Sequence, residues 1–394
     1  MNLQDAKTEG FYDVVVVGGG PAGGVAALIL ARAGRRVMLL EESTGPPFKI
    51  GEALPPAARQ LFRELDLWES FIAQGHLPSY GNLSAWGSSE LHSTDFIFDP
   101  NGVGWHLDRP RFDRLLRQAA LDAGADVSVG SKLNIKTCQY SHGSWLLSVR
   151  RNGSEQRLRS RWLIDATGSR SAVARSQGVR RHSDDGLVSF FAVFSSDHQR
   201  VIDQDSRTLI EATPNGWWYT ALLPSRDRVV VYLTDADVAP KIGRSKEGFL
   251  TLLGRTKHIS GCLDEYGYAM RTGVKAAPAN SARLKSFTGE GWIAVGDAAV
   301  SFDPLSSQGI LTALFTGMKA AETLNDKLLD NSKSLSNYEE RVSAIYDAYL
   351  KNRSTYYQQE QRWMTSPFWQ RRHRVGADSA ESARVAEFRV NDQR

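Results

Sequence analysis

Cysteine is nearly absent from this chain: Cys138 and Cys262 are the two among 394 residues. Two cysteines build neither a disulfide framework nor a cysteine-based metal cluster. Histidine is scarce too, with eight scattered residues and no H-E-x-x-H or similar spacing that would seat zinc. No Ser-His-Asp constellation stands out. No apolar run approaches the roughly 18 residues of a membrane span, and the opening MNLQDAKTEGFYD lacks the basic and apolar regions of an export signal. An excess of one charge is also missing: 48 basic against 44 acidic residues leave +4, too evenly spread to argue for nucleic acid. These absences predict a cytoplasmic protein with no metal, no membrane span and no nucleic-acid partner. The length predicts two interleaved domains.

What is present begins at YDVVVVGGGPAGGVAALILARAGRRVMLLEE. Val14 to Val17 have no polar face, the pattern of a strand buried on both sides in a parallel sheet. Gly18, Gly20 and Gly23 then match G-x-G-x-x-G, an alanine-rich helix runs to Gly34, and Val37 to Leu40 form a second strand ending in Glu41 and Glu42. Each glycine has a mechanical role: Gly18 turns tightly, Gly20 lets backbone approach a pyrophosphate, and Gly23 lets helix and strand pack closely. Pro21 and Ala22 open a helix whose free N–H groups attract phosphates. Glu41 stands where a carboxylate accepts hydrogen bonds from a ribose diol. The pattern predicts a Rossmann dinucleotide site without choosing between NAD and FAD.

Three later segments narrow that choice. WHLDRPRFDRLLRQAALDAGADV, Trp105 to Val127, spaces Phe112, Leu115, Leu116, Ala119 and Ala120 for a helix face, with Arg109 and Arg111 around Pro110. RWLIDATGSRSAVAR follows a strand, Trp162 to Asp165, with the small residues Ala166 to Ser169. GWIAVGDAAVSFDPLSSQGILTAL ends a strand in Gly296 and Asp297, passes Pro304 and Ser307, and starts a helix at Gly309 and Ile310. In this order the segments resemble the FAD-dependent monooxygenases of the aromatic hydroxylase and flavin halogenase superfamily. The resemblance implies FAD, an α/β fold and a Rossmann-like FAD-binding domain of the GR2 type. It assembles that domain from residues 1–80, 109–180 and 281–335, with an insertion at 81–108, an antiparallel β-sheet substrate domain at 181–280 and a C-terminal helical segment at 336–394. It implies that Arg111 reaches the flavin phosphate or ribityl region and that Asp297 holds the ribityl chain. Ala166 and Gly168 become a second backbone approach to the cofactor. The stretch from Pro304 through Ser307, Gly309 and Ile310 becomes the loop and helix start at the flavin's pyrimidine end, where a helix N-terminus favours negative charge.

One departure bears on the electron source. Aromatic hydroxylases carry an Asp-Gly pair where this chain has Thr167-Gly168, and a hydroxyl does not replace a carboxylate as anionic acceptor. The external electron source is left open between NAD(P)H and a separate flavin reductase acting as partner.

LVSFFAVFSS, TLIEATPNGWWYTALLP and DRVVVYLTD read as antiparallel strands, with turns at Pro214-Asn215-Gly216 and Ser225-Arg226-Asp227. Trp217 and Trp218 alternate across one strand, so one is expected to face a substrate chamber. GWWYTALLP is only a variant of the halogenase W-x-W-x-I-P, and no lysine follows Glu52 where halogenases place theirs; Lys49 precedes it. FKIGEALPPAA, GWWYTALLP and GDAAVSFDPLSSQGI together look closest to the LodB-like, GoxB-type flavoproteins, required to make a tryptophan-derived quinone inside an amine-oxidising partner. That resemblance implies an aromatic substrate, the tryptophan of a quinoprotein oxidase precursor, hydroxylated through a flavin C4a-hydroperoxide. Glu52, Pro304, Ser307 and Trp217 are the candidate catalytic residues, with Glu52 equally readable as a loop carboxylate bonding backbone. Alternatives are a small-molecule hydroxylase or halogenase, a flavin reductase of the geranylgeranyl type, and a flavin-binding scaffold. The C-terminal segment reads as a helical pair packed on the FAD-binding domain, interrupted at Ser366-Pro367. Its cluster Arg371, Arg372, His373 and Arg374 reads as a solvated helix face or a partner surface.

Overall fold

Val14, Val15 and Val16 are wholly buried, as a strand with no polar face must be, and their strand Thr8–Val17 lies at the centre of a parallel sheet. It pairs with Ser154–Asp165 on one side and Val37–Glu41 on the other; Trp292–Ala294 and Asp126–Val129 add outside these. The computed structural model describes residues 8–45, 50–196, 202–239, 245–329 and 334–374; Lys49 and the stretch from Val375 onward lie outside them. Residues 1–76, 107–184 and 281–346 form one compact unit, and residues 77–106, 185–280 and 347–394 a second.

Register decides where the first unit can hold a ligand. Val17 stands opposite Leu40 and Asp165, and Asp165 opposite Ala294. The strands therefore finish level, and Gly18, Glu41, Ala166 and Gly296 leave the sheet at one edge, the carboxyl end where open α/β sheets bind ligands. Helix Pro21–Arg32 packs on helices Arg109–Asp122 and Gly309–Leu328. Asp108 caps the second of these by accepting from the Arg111 amide at 3.0 Å. An antiparallel hairpin, Ser144–Arg151 with Ser154–Asp165, extends the sheet. Its turn is Asn152-Gly153, both at positive φ, the residue pair such two-residue hairpin turns favour.

In the second unit the sheet runs in the order 268–270, 187–196, 228–235, 216–222, 208–213, 81–85 and 92–95. All these neighbours are antiparallel except 81–85 beside 208–213. The three apolar segments singled out in sequence are its central strands. Trp218 sits in the core formed with Phe190, Tyr232, Phe249 and Ile259. Trp217 meets Trp86 instead and donates its indole N–H to the Tyr357 hydroxyl at 3.0 Å.

The C-terminal segment is the expected helical pair, but only its part through Tyr346 belongs to the FAD-binding unit. It is one long helix, Ser334–Gln359, and a short one at 367–374 that begins at Pro367. From Asp347 on it belongs to the second unit, where Tyr357, Phe368 and Trp369 pack together with Trp86. The basic cluster is largely spent inside that unit. Buried Arg372 grips Asp235 at 2.7 and 3.1 Å, and Arg371 pairs with Asp237 at 2.6 Å.

Candidate functional site

The glycine loop shows which glycines serve packing and which serve approach. A Cβ on Gly18, whose φ is +111°, would lie 2.2 Å from the Ala166 carbonyl oxygen, and one on Gly23 would lie 1.9 Å from that of Gly18. Around a Cβ on Gly20 nothing lies within 4 Å. The first two hold strand, loop and helix together; the third leaves backbone bare at the helix N-terminus, beside Pro21. Ala22 is buried where a Cβ on Gly317 would meet its carbonyl oxygen at 2.3 Å and one on Gly296 its methyl at 3.0 Å. That packing sets the Gly296 turn against the first helix.

Glu41 accepts from the Gly19 amide at 2.7 Å and the Ser43 amide at 2.9 Å. Arg117 donates to the Gly19 carbonyl at 2.9 Å. A cleft of about 350 Å³ opens beside them, lined among others by Glu41, Ser43, Pro110, Arg114, Arg117 and Val127. Glu42 turns elsewhere: it pairs on the surface with Lys132 at 2.5 Å and Arg170 at 3.1 Å, and Lys132 first of all holds its carboxyl below the usual range.

Asp297 follows Gly296, which sits at φ +54° and donates its amide to Thr316 Oγ1 at 2.8 Å. Its neighbours Gly296 and Ala298 are buried, yet Asp297 itself is exposed. Low polarity around it raises its pKa; Arg181 and Arg109 oppose the rise. Arg181 is itself anchored on Ser171, Ser301 and the Ala298 carbonyl. Arg109 donates to the Gly51 carbonyl at 2.8 Å and pairs with buried Asp113 at 3.3 Å. Its Nε is buried with no hydrogen-bond partner among the described residues. Arg111 is exposed and donates to the Gln74 carbonyl at 2.7 Å. Two residues apart on a helix point about 200° apart, so Arg109, rather than Arg111, is the arginine brought toward Asp297.

Ala166 bonds back to Val17 through its amide at 3.0 Å, and Gly168 sits at φ +65° with open space around it. Thr167 is spent inside this loop. Its hydroxyl donates to Asp165 at 2.6 Å and accepts from the Ala172 amide at 2.7 Å. Farther on, buried Asp303 accepts from the Leu305 amide at 3.0 Å and closes the turn Pro304–Ser306. Pro304, Ser307 and Gly309 are exposed, Ile310 is buried, and Ser307 adopts φ +50° before the 20-residue helix Gly309–Leu328 begins. Glu52 is buried; the Gly51 amide points at its carboxylate from 3.2 Å, and its carbonyl accepts from the Leu107 amide at 2.8 Å.

The strand ends thus gather Gly18, Gly20, Pro21, Ala22, Gly23, Glu41, Ala166, Gly168, Gly296 and Asp297. Glu42 and Arg111 face away from that group, and Trp217 is enclosed in the second unit's aromatic core. The sequence reading missed Arg109, Arg117 and Arg181. The first two had a signal: Arg109, Asp113 and Arg117 repeat every four residues along one face of the helix.

An FAD binding domain family model matches residues 11–355. The chain belongs to this family of flavoproteins. FAD fits the residues present, with a bare glycine turn at a helix N-terminus for the pyrophosphate and an exposed carboxylate at the same sheet edge for ribityl hydroxyls. This flavoprotein is 33% identical to LodB of Marinomonas mediterranea, named as an FAD-dependent oxidoreductase, over 93% of its own length and 98% of that protein's. Its fold matches the myxobacterial chondrochloren halogenase CndH with a TM-score of 0.84 at 24% identity, covering 96% of this chain and 90% of that one. The peptidyl tryptophan dihydroxylase QhpG, essential for tryptophylquinone cofactor biogenesis, matches with a TM-score of 0.69 at 23% identity, covering 92% and 78%. The flavoprotein is an FAD-dependent oxidoreductase of the LodB-like group. Among the described residues, no helix is long and apolar enough to cross a membrane.

Proposed function

We propose that this flavoprotein is a monooxygenase that hydroxylates the indole of a tryptophan in a precursor polypeptide, during formation of a tryptophan-derived quinone in an amine-oxidising partner. The observation that carries the reading is the end-to-end similarity to LodB; the fold shared with a peptidyl tryptophan dihydroxylase supports it. When bound and reduced, FAD supplies electrons that activate dioxygen: one oxygen atom enters the ring and the other leaves as water.

The chain's own residues bind and orient. Gly18, Gly20 and Gly23 with Pro21 and Ala22 cradle the pyrophosphate, and Glu41 and Arg117 border the groove on the ribose side. Asp297 accepts from ribityl hydroxyls, while the charges of Arg181 and Arg109 offset part of the desolvation that raises its pKa. The exposed start of helix Gly309–Leu328, with Pro304 and Ser307 before it, presents free amides that favour negative charge on the reduced ring. Glu52, buried and facing the Gly51 amide, is the candidate for positioning the substrate or transferring a proton. The Thr167 hydroxyl is already engaged on both sides within its own loop, which favours reduction by a separate flavin reductase over direct NAD(P)H.

Labelled dioxygen tests the reading. With a flavin reductase and a tryptophan-containing precursor peptide, hydroxylation adds one labelled oxygen atom per event; a product mass without label sinks it. The fold shared with CndH favours halogenation as the second reading. The absence of lysine between Gly51 and Phe71 and the adjacent rather than spaced tryptophans count against it. Adding bromide separates the two, since halogenation shifts the product by the mass of bromine in place of hydrogen.

A further inference from the structure

In the second unit the sheet ends at strand His92–Asp95, which among the described residues pairs with Gly81–Ala85 on one side alone. All four of its residues are exposed, so a row of backbone N–H and C=O groups faces solvent. The ladder continues one step further through the Phe96 amide on the Tyr80 carbonyl at 2.8 Å. Next come Ile97 and Phe98, 81% and 91% exposed. Tyr80 on the neighbouring segment is 58% exposed, and Leu91 just before the strand 39%. Scattered apolar residues on a surface need no explanation. Apolar side chains at both ends of an open sheet edge do, because natural proteins blunt such edges, most often with lysine.

No Lys or Arg occurs from Gly81 through Asp108, in a chain that carries 48 of them. The edge carries Glu90, Asp95 and Asp99 instead. Lys257 approaches Glu90 only to 3.8 Å, Ser93 donates to Asp95 at 2.7 Å, and Asn101 donates to Asp99 at 2.8 Å. Arg207, already paired with Asp205, is the cation near Asp95. We propose that this edge docks an extended segment of a partner polypeptide, adding it to the sheet as a strand. The segment's apolar side chains would meet Leu91, Ile97 and Phe98, and its Lys or Arg residues would face the three carboxylates. Unsatisfied backbone groups select a polypeptide over lipid, and the carboxylates repel an anionic membrane. Two copies of the edge would set carboxylates against carboxylates, which disfavours self-pairing. The proposal rests on the reading of a polypeptide substrate and names how that substrate is first held.

The test uses the FAD-loaded full chain and a fluorescent ten-residue peptide of alternating valine and threonine around one tryptophan, with two lysines at each end. Fluorescence anisotropy is expected to show binding that weakens at least tenfold in the double variant Ile97→Ser/Phe98→Ser and again in Ser93→Pro, whose amide points away from Gly81–Ala85, and that is kept in Ile97→Val/Phe98→Leu. Flavin content and oxygenation of free N-acetyltryptophanamide are expected to match the unmodified chain in all three, which separates docking from folding. Equal peptide binding by the parent and the serine variant overturns the docking site and leaves tryptophan hydroxylation standing. Lost binding with no labelled oxygen entering any tryptophan leaves docking standing and ends the hydroxylation reading. Sedimentation with phosphatidylglycerol vesicles, or a dimer, that disappears in the serine variant in place of peptide binding also overturns it.

Discussion

Asp297 is a carboxylate among buried neighbours, open on one side, with two arginines nearby. Removing it costs a charge-assisted hydrogen bond, about 1.5–3 kcal/mol. Asp297→Ala is therefore expected to weaken FAD binding by roughly ten- to a hundredfold, read by flavin fluorescence on titration; unchanged affinity would remove Asp297 from the cofactor. Arg109→Ala should lower affinity in the same assay and Arg111→Ala should leave it near the parent value, because only Arg109 is directed toward Asp297. The reverse ranking would restore the sequence-based choice. Motif order made Asp297 legible. The choice between Arg109 and Arg111 was not, since both flank Pro110 and only the helix phase, fixed by the Asp108 cap, separates them.

At the scale of the element, the strand–glycine turn–helix unit separates binding from stability. Gly20→Ala adds a methyl where nothing lies within 4 Å; the apoprotein should melt as before while FAD affinity falls, because the methyl stands where phosphate approaches. Gly23→Ala forces a methyl to within 1.9 Å of a carbonyl oxygen and should lower stability by about 1–3 kcal/mol, as overpacking does. Equal melting of both apoproteins in a thermal scan would overturn this division. Valine runs and turn residues made these elements legible, because both act locally. The C-terminal segment beyond Tyr346 was placed on the wrong unit since its aromatic spacing fixes a buried face without naming its partner; Trp86 and Trp217, distant in sequence, supply it.

For the whole molecule, each unit buries a neutral histidine. His106 bridges the Leu222 carbonyl and the Thr208 hydroxyl at 2.8 and 3.0 Å, and its pKa is pushed down to about 4 by burial. His76 accepts from the Asp108 amide at 3.2 Å and is likewise pushed down to about 4, chiefly by burial. An unfolded histidine near 6.5 binds the proton that the folded one refuses, so stability is full above about pH 6.5 and falls as pH drops toward 4. At pH 5 the loss is about 2 kcal/mol for each histidine. Urea unfolding at pH 7.5 and pH 5 should show it in both units, and a midpoint unchanged between them would contradict the burial of neutral imidazoles.

The level strand ends also set an order of events during synthesis. The cradle at Gly20 is translated early, but the strand Trp292–Ala294 that presents Asp297 pairs with Ser154–Asp165 and reaches that edge only after most of the chain has been made. A nascent chain halted before Gly291 would carry the phosphate loop without the ribityl hook, so tight flavin capture belongs to the last stages of biogenesis.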